Sequence, residues 1–470
     1  MSDAGATGLS VGSRVRHRRL GVGVVLQTRY RGYECWVEFA MVRTWVRGTD
    51  LTVEQRAAPG RRVGPASGMP VSAAPPQLRG GLLPPLRSLA AMKLAKVEAT
   101  FADRCVIEAF RLGTVPDRYV TPWTFGRDDE LSHLFHWLDD QADGSMLLEG
   151  AYGSGKSHLL QALAARALED GWVVSTSHLD AGEESAAFPK RLYRQIARGL
   201  VAPGLGGFEQ LVLAAVDAAG HNPVADHPIL GPLADRILAG TDATSDWNAA
   251  LGEGDSTAVT GYLPDFTTSA NVYCNLISGL GWLSAKVLGF KGLLVLVDEV
   301  ETASACLYRF HFQRAQSFFR GLTLTANDDP DLLDDAPKKG ATAYEGSKTG
   351  LVYAGHRRMP YLYRTPSALK VVLASTPGPM RGQYAQWRGE QTVLEIEAVR
   401  TRALQKLAEK LAAVYVSHFG VEVTFAELAM VATRLVERFG TTRTFIKALV
   451  EILDYRRFHP GEPIDAPLRR

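Results

Sequence analysis

Residues Gly150-Ala151-Tyr152-Gly153-Ser154-Gly155-Lys156-Ser157 fill every position of a G-x-x-x-x-G-K-[ST] run. That spacing is a device for holding phosphate. Glycines let the backbone curl until successive N–H groups face one point, and the N-terminus of a following helix adds positive potential there. Lys156 is expected to reach the terminal phosphates and Ser157 to offer its hydroxyl to Mg²⁺. His158 comes next and completes the set 150–158 expected to hold a nucleotide. The competing reading is a glycine-rich turn that happens to contain lysine. The short apolar run Met146-Leu147-Leu148 before it and the helical Leu159-Leu160 after it favour the phosphate loop.

A second run, Leu293-Leu294-Val295-Leu296-Val297-Asp298-Glu299, is apolar until it ends in two carboxylates. Continuous apolar sequence suits a parallel strand covered on both faces. Asp298 at its tip suits the hydration shell of Mg²⁺, and Glu299 suits orienting and polarising an attacking water. The pair therefore predicts hydrolysis of ATP as well as binding. A strand ending in a solvated turn would read the same in isolation.

Two further positions complete the candidate catalytic set of Lys156, Glu299, Thr376, Ser375 and Arg443. The run Lys370-Val371-Val372-Leu373-Ala374 ends in Ser375-Thr376-Pro377. Thr376 first, and Ser375 second, are candidates to touch a γ-phosphate or the lytic water; a capping hydroxyl before proline is the plainer alternative. Gly440-Thr441-Thr442-Arg443 starts a helix with an arginine in its first turn, which opposes the helix dipole unless an external anion lies nearby. The metal ligands expected are Ser157 and Asp298. An arginine acting from a neighbouring copy would come from Arg381 or Arg388, or from Arg309, Arg314 or Arg320.

These residues need a frame. Apolar strands at 145–149, 172–177, 292–297, 370–375 and 393–396 alternate with helical stretches, the pattern of an α/β domain with a parallel sheet. Residues 200–265 read as inserted helices, and 326–350 as a polar surface loop or hairpin. From Arg400 to Arg456 the spacing of Leu404, Leu407, Leu411 and Val414, then 428–439 and 445–453, predicts a helical lid. Between Arg87 and Leu112 a helical pattern stops at Gly113. Gly126-Arg127-Asp128-Asp129-Glu130 precedes the first domain helix; it suits a segment against the base, or an N-cap at Asp128 or Asp129.

Val11 to Val53 alternates in short runs and predicts a small β-barrel of the SH3 or Tudor kind. Residues 57–86 hold seven prolines and five glycines, a semi-extended linker. The expected division is a basic barrel at 8–56, a linker at 57–88, an ATPase core at 89–398 and a lid at 399–470.

The chain has 470 residues, 46% hydrophobic and 22% charged, which excludes a mostly disordered or collagen-like polymer and favours several domains. No apolar run is long enough to span a membrane, and the first residues carry no secretory pattern, so a cytoplasmic location is expected. Cys35, Cys105, Cys274 and Cys306 stand far apart, which fits neither a zinc site nor a disulfide framework. The net charge of +2 divides unevenly: +9 on residues 1–100 and −7 on the rest. Arg14, Arg16, His17, Arg18, Arg19, Arg29 and Arg31 lie among Tyr30, Tyr33 and Trp36, so basic residues 14–31 suit DNA phosphates with aromatics to stack on bases. Aromatics filling a small core beside solvated arginines, or a surface that docks protein, are the alternatives.

Taken together, the phosphate loop, the Asp-Glu strand, the polar strand tip and the lid with Arg443 resemble the AAA+ class, nearest its initiator (Cdc6-like) branch. The stretch Ile107-Glu108-Ala109-Phe110-Arg111-Leu112-Gly113-Thr114-Val115-Pro116, with Phe125 to Glu130 after it, resembles the ATP-binding proteins of BREX-type bacterial phage-exclusion systems. That resemblance spans roughly 100–455 and implies an ATPase working with DNA-directed defence proteins, as an ATP-dependent homo-oligomer. Arg443 then matches the second sensor arginine of AAA+ lids. The N-terminal barrel departs from the pattern. Two functions follow: a DNA-associated ATPase that loads on or remodels nucleic acid, or a nucleotide-controlled switch whose barrel recruits a helicase, nuclease or methyltransferase.

Overall fold

A computed structural model describes residues 13–17, 21–29, 34–39, 43–47, 51–55, 101–116, 120–140, 142–180, 187–240, 244–253, 270–305, 309–340, 343–355 and 358–469. The expected linker, Arg18, Arg19, Tyr30, Arg31, Tyr33 and Cys306 lie outside them. The chain divides into two compact units, Met1–Leu83 and Pro84–Arg470.

In the first unit, strands β1 (Arg14–His17), β2 (Gly21–Arg29), β3 (Glu34–Phe39), β4 (Arg43–Arg47) and β5 (Leu51–Gln55) pair antiparallel in the order β4-β3-β2-β1-β5. Strand period two decides what faces inward: Val15 is buried between exposed Arg14 and Arg16, and Val25, Val37 and Leu51 join it in a small core.

The second unit is built on a six-stranded sheet, ordered β14-β6-β13-β9-β7-β8. Its parallel strands are β6 (Ser145–Gly150), β7 (Val173–His178), β9 (Leu293–Asp298), β13 (Leu369–Ser375) and β14 (Val393–Ile396). These are the five strands expected from apolar runs. The short β8 (Leu200–Val201) adds antiparallel to β7, and two residues are too few to leave a sequence signal. Every residue of β6, β9 and β13 is buried, because helices cover both faces. Helices α2 (Asp128–Asp139) and α3 (Lys156–Glu169) cover one face, where Leu134, Leu159 and Leu163 meet Leu148, Leu296 and Val372. Helices α8 (Ala270–Lys286) and α9 (Arg309–Ala326) pack on the other through Tyr273, Ile277, Phe318 and Phe319.

Lys370, inside β13, breaks the apolar pattern. Its Nζ donates to the carbonyls of Trp137, Asp140 and Asp143 at 2.7, 2.6 and 3.0 Å, tying the end of α2 to the sheet. Within the polar stretch 326–350 and just beyond it, β10 (Pro337–Lys339), β11 (Tyr344–Gly346) and β12 (Val352–Tyr353) form a separate antiparallel sheet, one strand more than a hairpin.

Helices α11 (Thr401–Phe419), α12 (Phe425–Arg438) and α13 (Thr442–Phe458) bury Leu407, Leu411, Val431, Leu435, Phe445 and Leu449 in one cluster. Gly420, with φ of 67°, ends α11; a Thr424–Glu427 capping box starts α12, and Thr441 caps α13. Helix α1 (101–112) packs here through Val106, Ile107 and Phe110. The first described helix of this unit thus shares its core with α11, α12 and α13, a pairing across sequence that no local pattern encodes.

Candidate functional site

The phosphate-binding run lies between β6 and α3. Gly153 and Gly155 hold φ of 76° and 107°, a region closed to most side chains. Space also requires these glycines. A Cβ on Gly150 would meet Ser154 Oγ at 2.7 Å, and one on Gly153 would meet Thr441 Cβ at 2.9 Å. The second contact puts the start of α13 directly on the loop. Lys156 is buried, and its Nζ donates to the carbonyl of Gly150 at 2.7 Å and of Ala151 at 3.3 Å. Burial lowers its pKa, opposed by the fields of Glu301, Asp298 and Glu299.

Asp298 ends β9 next to the loop. Its Oδ2 accepts from Ser157 Oγ at 2.5 Å and its Oδ1 from Glu299 N–H at 2.9 Å. A serine hydroxyl and a carboxylate side by side are hard oxygen donors, the set Mg²⁺ takes beside phosphate oxygens. The chain leaves β9 through Glu299 in a left-handed conformation, φ 59°, and the Glu299 carbonyl accepts from Thr302 N–H and Oγ1–H at 3.0 and 2.7 Å. That turn presents the Glu299 carboxylate at the mouth of the cleft, 3.4 Å from Nε2 of His178 at the end of β7.

Arg443 reaches the loop from α13. Its Nη1 donates to the Tyr152 hydroxyl at 2.7 Å, and its guanidinium lies 5.2 Å from the centre of that ring. One cleft is lined by the loop, Lys156, Ser157, His158, Asp298, Glu299 and Arg443. Its inner wall is apolar: Val115, Phe125, Val399, Leu404 and Ile446 form a slot beside the loop. His158 sits at the junction, half-buried, with Nε2 2.7 Å from Thr124 Oγ1. The same threonine hydroxyl lies 3.0 Å from the carbonyl oxygen of Val120. Burial and the Arg127 guanidinium together press the ring's pKa down to about 4.

Other predicted residues stand elsewhere. Ser375 is fully buried and its Oγ donates to the Thr376 carbonyl at 2.8 Å; neither it nor half-buried Thr376 lines the cleft. The hydroxyl of Ser375 is spent on its own turn. Arg381, on α10 (Pro379–Arg388), pairs with Glu149, Glu390 and Glu395 at 2.8, 2.8 and 3.0 Å, and Arg388 pairs with Asp143 at 3.0 Å. Both are thus engaged within their own chain. Asp128 and Asp129 do not cap α2; the cap position is Arg127, and the two aspartates stand exposed in the first turn, where the helix dipole favours them.

Arg127, from the run expected against the base, lines the cleft, as does Glu301, with His178 beside it, and neither Glu301 nor His178 carried a role in the sequence. Glu301, two residues past Glu299, lines the cleft, and its Oε2 is buried without a hydrogen-bond partner among the described residues. The third carboxylate of Asp298-Glu299-Val300-Glu301 was the available signal. His178 had none, because only β7–β9 pairing brings it to Asp298.

Residues 124–259 match the family described as "AAA ATPase domain". The matched span, under half of the chain, includes the phosphate loop. Asp298, Glu299 and Arg443 fall beyond it. No curated protein matches the sequence. Among solved structures, domain III of the replication initiation protein DnaA from Thermotoga maritima aligns at 10% identity and TM-score 0.33, covering 73% of this chain and 91% of that one. AMPPCP-bound DnaA from Aquifex aeolicus aligns at 13% identity and TM-score 0.31, covering 73% and 65%. The Orc1 protein of Aeropyrum pernix in complex with DNA aligns at 12% identity and TM-score 0.33, covering 73% and 63%.

Proposed function

We propose that this protein is a Mg²⁺-dependent ATPase that works on DNA. The observation that carries the reading is the convergence, in one cleft, of an apolar slot, a phosphate loop and carboxylates from a different strand. The slot suits the base of ATP and residues 150–158 its phosphates. Ser157 and Asp298 would hold Mg²⁺, which supplies charge neutralisation at the β- and γ-phosphates. Glu299 orients the attacking water and accepts its proton, and Lys156 and Arg443 stabilise charge on the departing phosphates. Ser375 and Thr376 have no part unless β13's tip moves.

Exposed Arg14 and Arg16 on β1, within the +9 segment, support phosphate contact by the N-terminal unit at 8–56. The finer assignment, to a BREX-like antiphage system with other defence proteins and an ATP-dependent homo-oligomer, rests on the family resemblance of residues 100–455. In the described residues no helix is long and apolar enough to cross a membrane.

The test is ATP turnover with and without single- and double-stranded DNA over a salt series, alongside the mass of the ATP-bound Glu299→Gln protein. Stimulation by DNA that falls steeply with salt supports the reading. Slow turnover indifferent to DNA at low salt would replace it with the switch that recruits a protein partner.

A further inference from the structure

One helix carries charge that the cleft does not use. Helix α4 (Pro189–Arg198) buries Leu192, Tyr193, Ile196 and Ala197, and its remaining face carries Lys190, Arg191, Arg194 and Arg198. At 3.6 residues per turn those four cations share an arc of about 100°. None of them lines the nucleotide cleft. The helix is held along β7: Ser175 Oγ donates to the Ile196 carbonyl at 2.7 Å, and the His178 N–H to Gln195 Oε1 at 3.0 Å. Tyr193 stacks on Tyr273 of α8 with ring centres 5.1 Å apart, which anchors the buried face.

The start of α9 continues the pattern. Phe188, just before α4, meets His311 of α9 with ring centres 5.5 Å apart, and the Arg191 guanidinium lies 4.4 Å from the centre of the Phe188 ring. Helix α9 holds Arg309, Arg314 and Arg320, and neither helix contains an aspartate or a glutamate. Residues 101–470 as a whole carry −7, so two adjoining helices with cations alone reverse the sign locally. Glu253, outside both helices, pairs with Arg198. Helix physics does not favour this arrangement. Lys190 and Arg191 stand in the first turn of α4, where the dipole favours anions, and that turn has no acidic residue. Like charges one turn apart also repel each other. An external polyanion relieves both costs.

We infer that the basic face of α4, continued by the start of α9, is a surface for the phosphate backbone of a nucleic acid. It stands on the ATPase unit, apart from Arg14 and Arg16, and the inference rests on the reading of the protein as one that works on DNA. From Lys190 to Arg198 the helix rises about 12 Å, the length of about three or four phosphates of one strand. Contact of this kind positions the nucleic acid and is indifferent to its base sequence.

The test is binding of fluorescein-labelled single- and double-stranded oligonucleotides, followed by anisotropy over a salt series. The full-length wild type is compared with a Lys190→Gln/Arg191→Gln/Arg194→Gln protein and an Arg14→Gln/Arg16→Gln protein, with thermal unfolding and DNA-free ATP turnover as controls. Losing three phosphate contacts should lower the slope of log K against log salt by about 2 to 3, and weaken binding about tenfold or more at roughly 0.1 M salt. Lys190→Glu should lower the slope by about 1, and it carries the test if the triple variant does not fold. The oligonucleotide on which the loss is seen is the form the surface holds. Wild-type affinity and slope in both α4 variants overturn the inference, and binding lost only in the Arg14→Gln/Arg16→Gln protein returns the contact to the first unit. If the wild type binds neither oligonucleotide at low salt, the reading of the protein as one that works on DNA has itself failed.

Discussion

Replacing His158 by glutamine should remove a specific part of the protein's acid sensitivity. The ring's Nε2 is hydrogen-bonded with Thr124 Oγ1, and glutamine offers both a donor and an acceptor at similar reach. The folded-state pKa is about 4 against an ordinary 6.5, chiefly from burial, with the Arg127 guanidinium adding to it. Between those values the unfolded chain takes up a proton that the folded one refuses, so stability falls as pH falls. The contribution is fully present above about pH 6.5 and lost near pH 4, and integrates to about 3 kcal/mol. His227, buried and also with its pKa pushed down to about 4, adds a second such loss that the variant retains. Urea unfolding followed by tryptophan fluorescence, from pH 7.5 to 4, should show the wild-type and His158→Gln curves diverging below about pH 6.5, with the variant losing about 3 kcal/mol less. Parallel curves would refute the account of His158 as a half-buried imidazole that the fold keeps neutral.

Lys156→Ala should lower ATP affinity by about 10- to 100-fold, measured by calorimetry, because it removes the loop's one ammonium donor; tight binding in that variant removes the loop from the site. Glu299→Gln should keep ATP affinity within about threefold and cut single-turnover hydrolysis by about 10²- to 10⁴-fold, the usual range for a general base; normal turnover excludes Glu299 from the mechanism. Tyr152→Phe should change kcat by about threefold to tenfold while ADP affinity stays put, since it frees Arg443 without touching the amides; an unchanged kcat would make that contact incidental.

Much of the frame was legible because its causes are local. Five core strands announced themselves as apolar runs, and the lid helices by the spacing of their apolar residues. What sequence could not show were small or solitary contributions. The two-residue β8 carries no period, and Lys370 reads as a misplaced charge until three carbonyls close around its ammonium. Ser375 illustrates the opposite failure. It stands at the expected strand tip, but its hydroxyl is buried and bonded to its neighbour's carbonyl.

The sequence by itself determined the chemistry on offer. A phosphate loop and an apolar strand ending in Asp298-Glu299 are contiguous motifs, and local backbone preferences carry them. Only the tertiary structure decided which distant groups would meet them. Arg443 reaches Tyr152 across 291 residues, His178 comes to Glu299 through strand pairing, and Arg127 donates to the carbonyl of Ser154. Those meetings depend on how the sheet and the helical cluster pack together, and packing is a property of surfaces that no window of sequence contains.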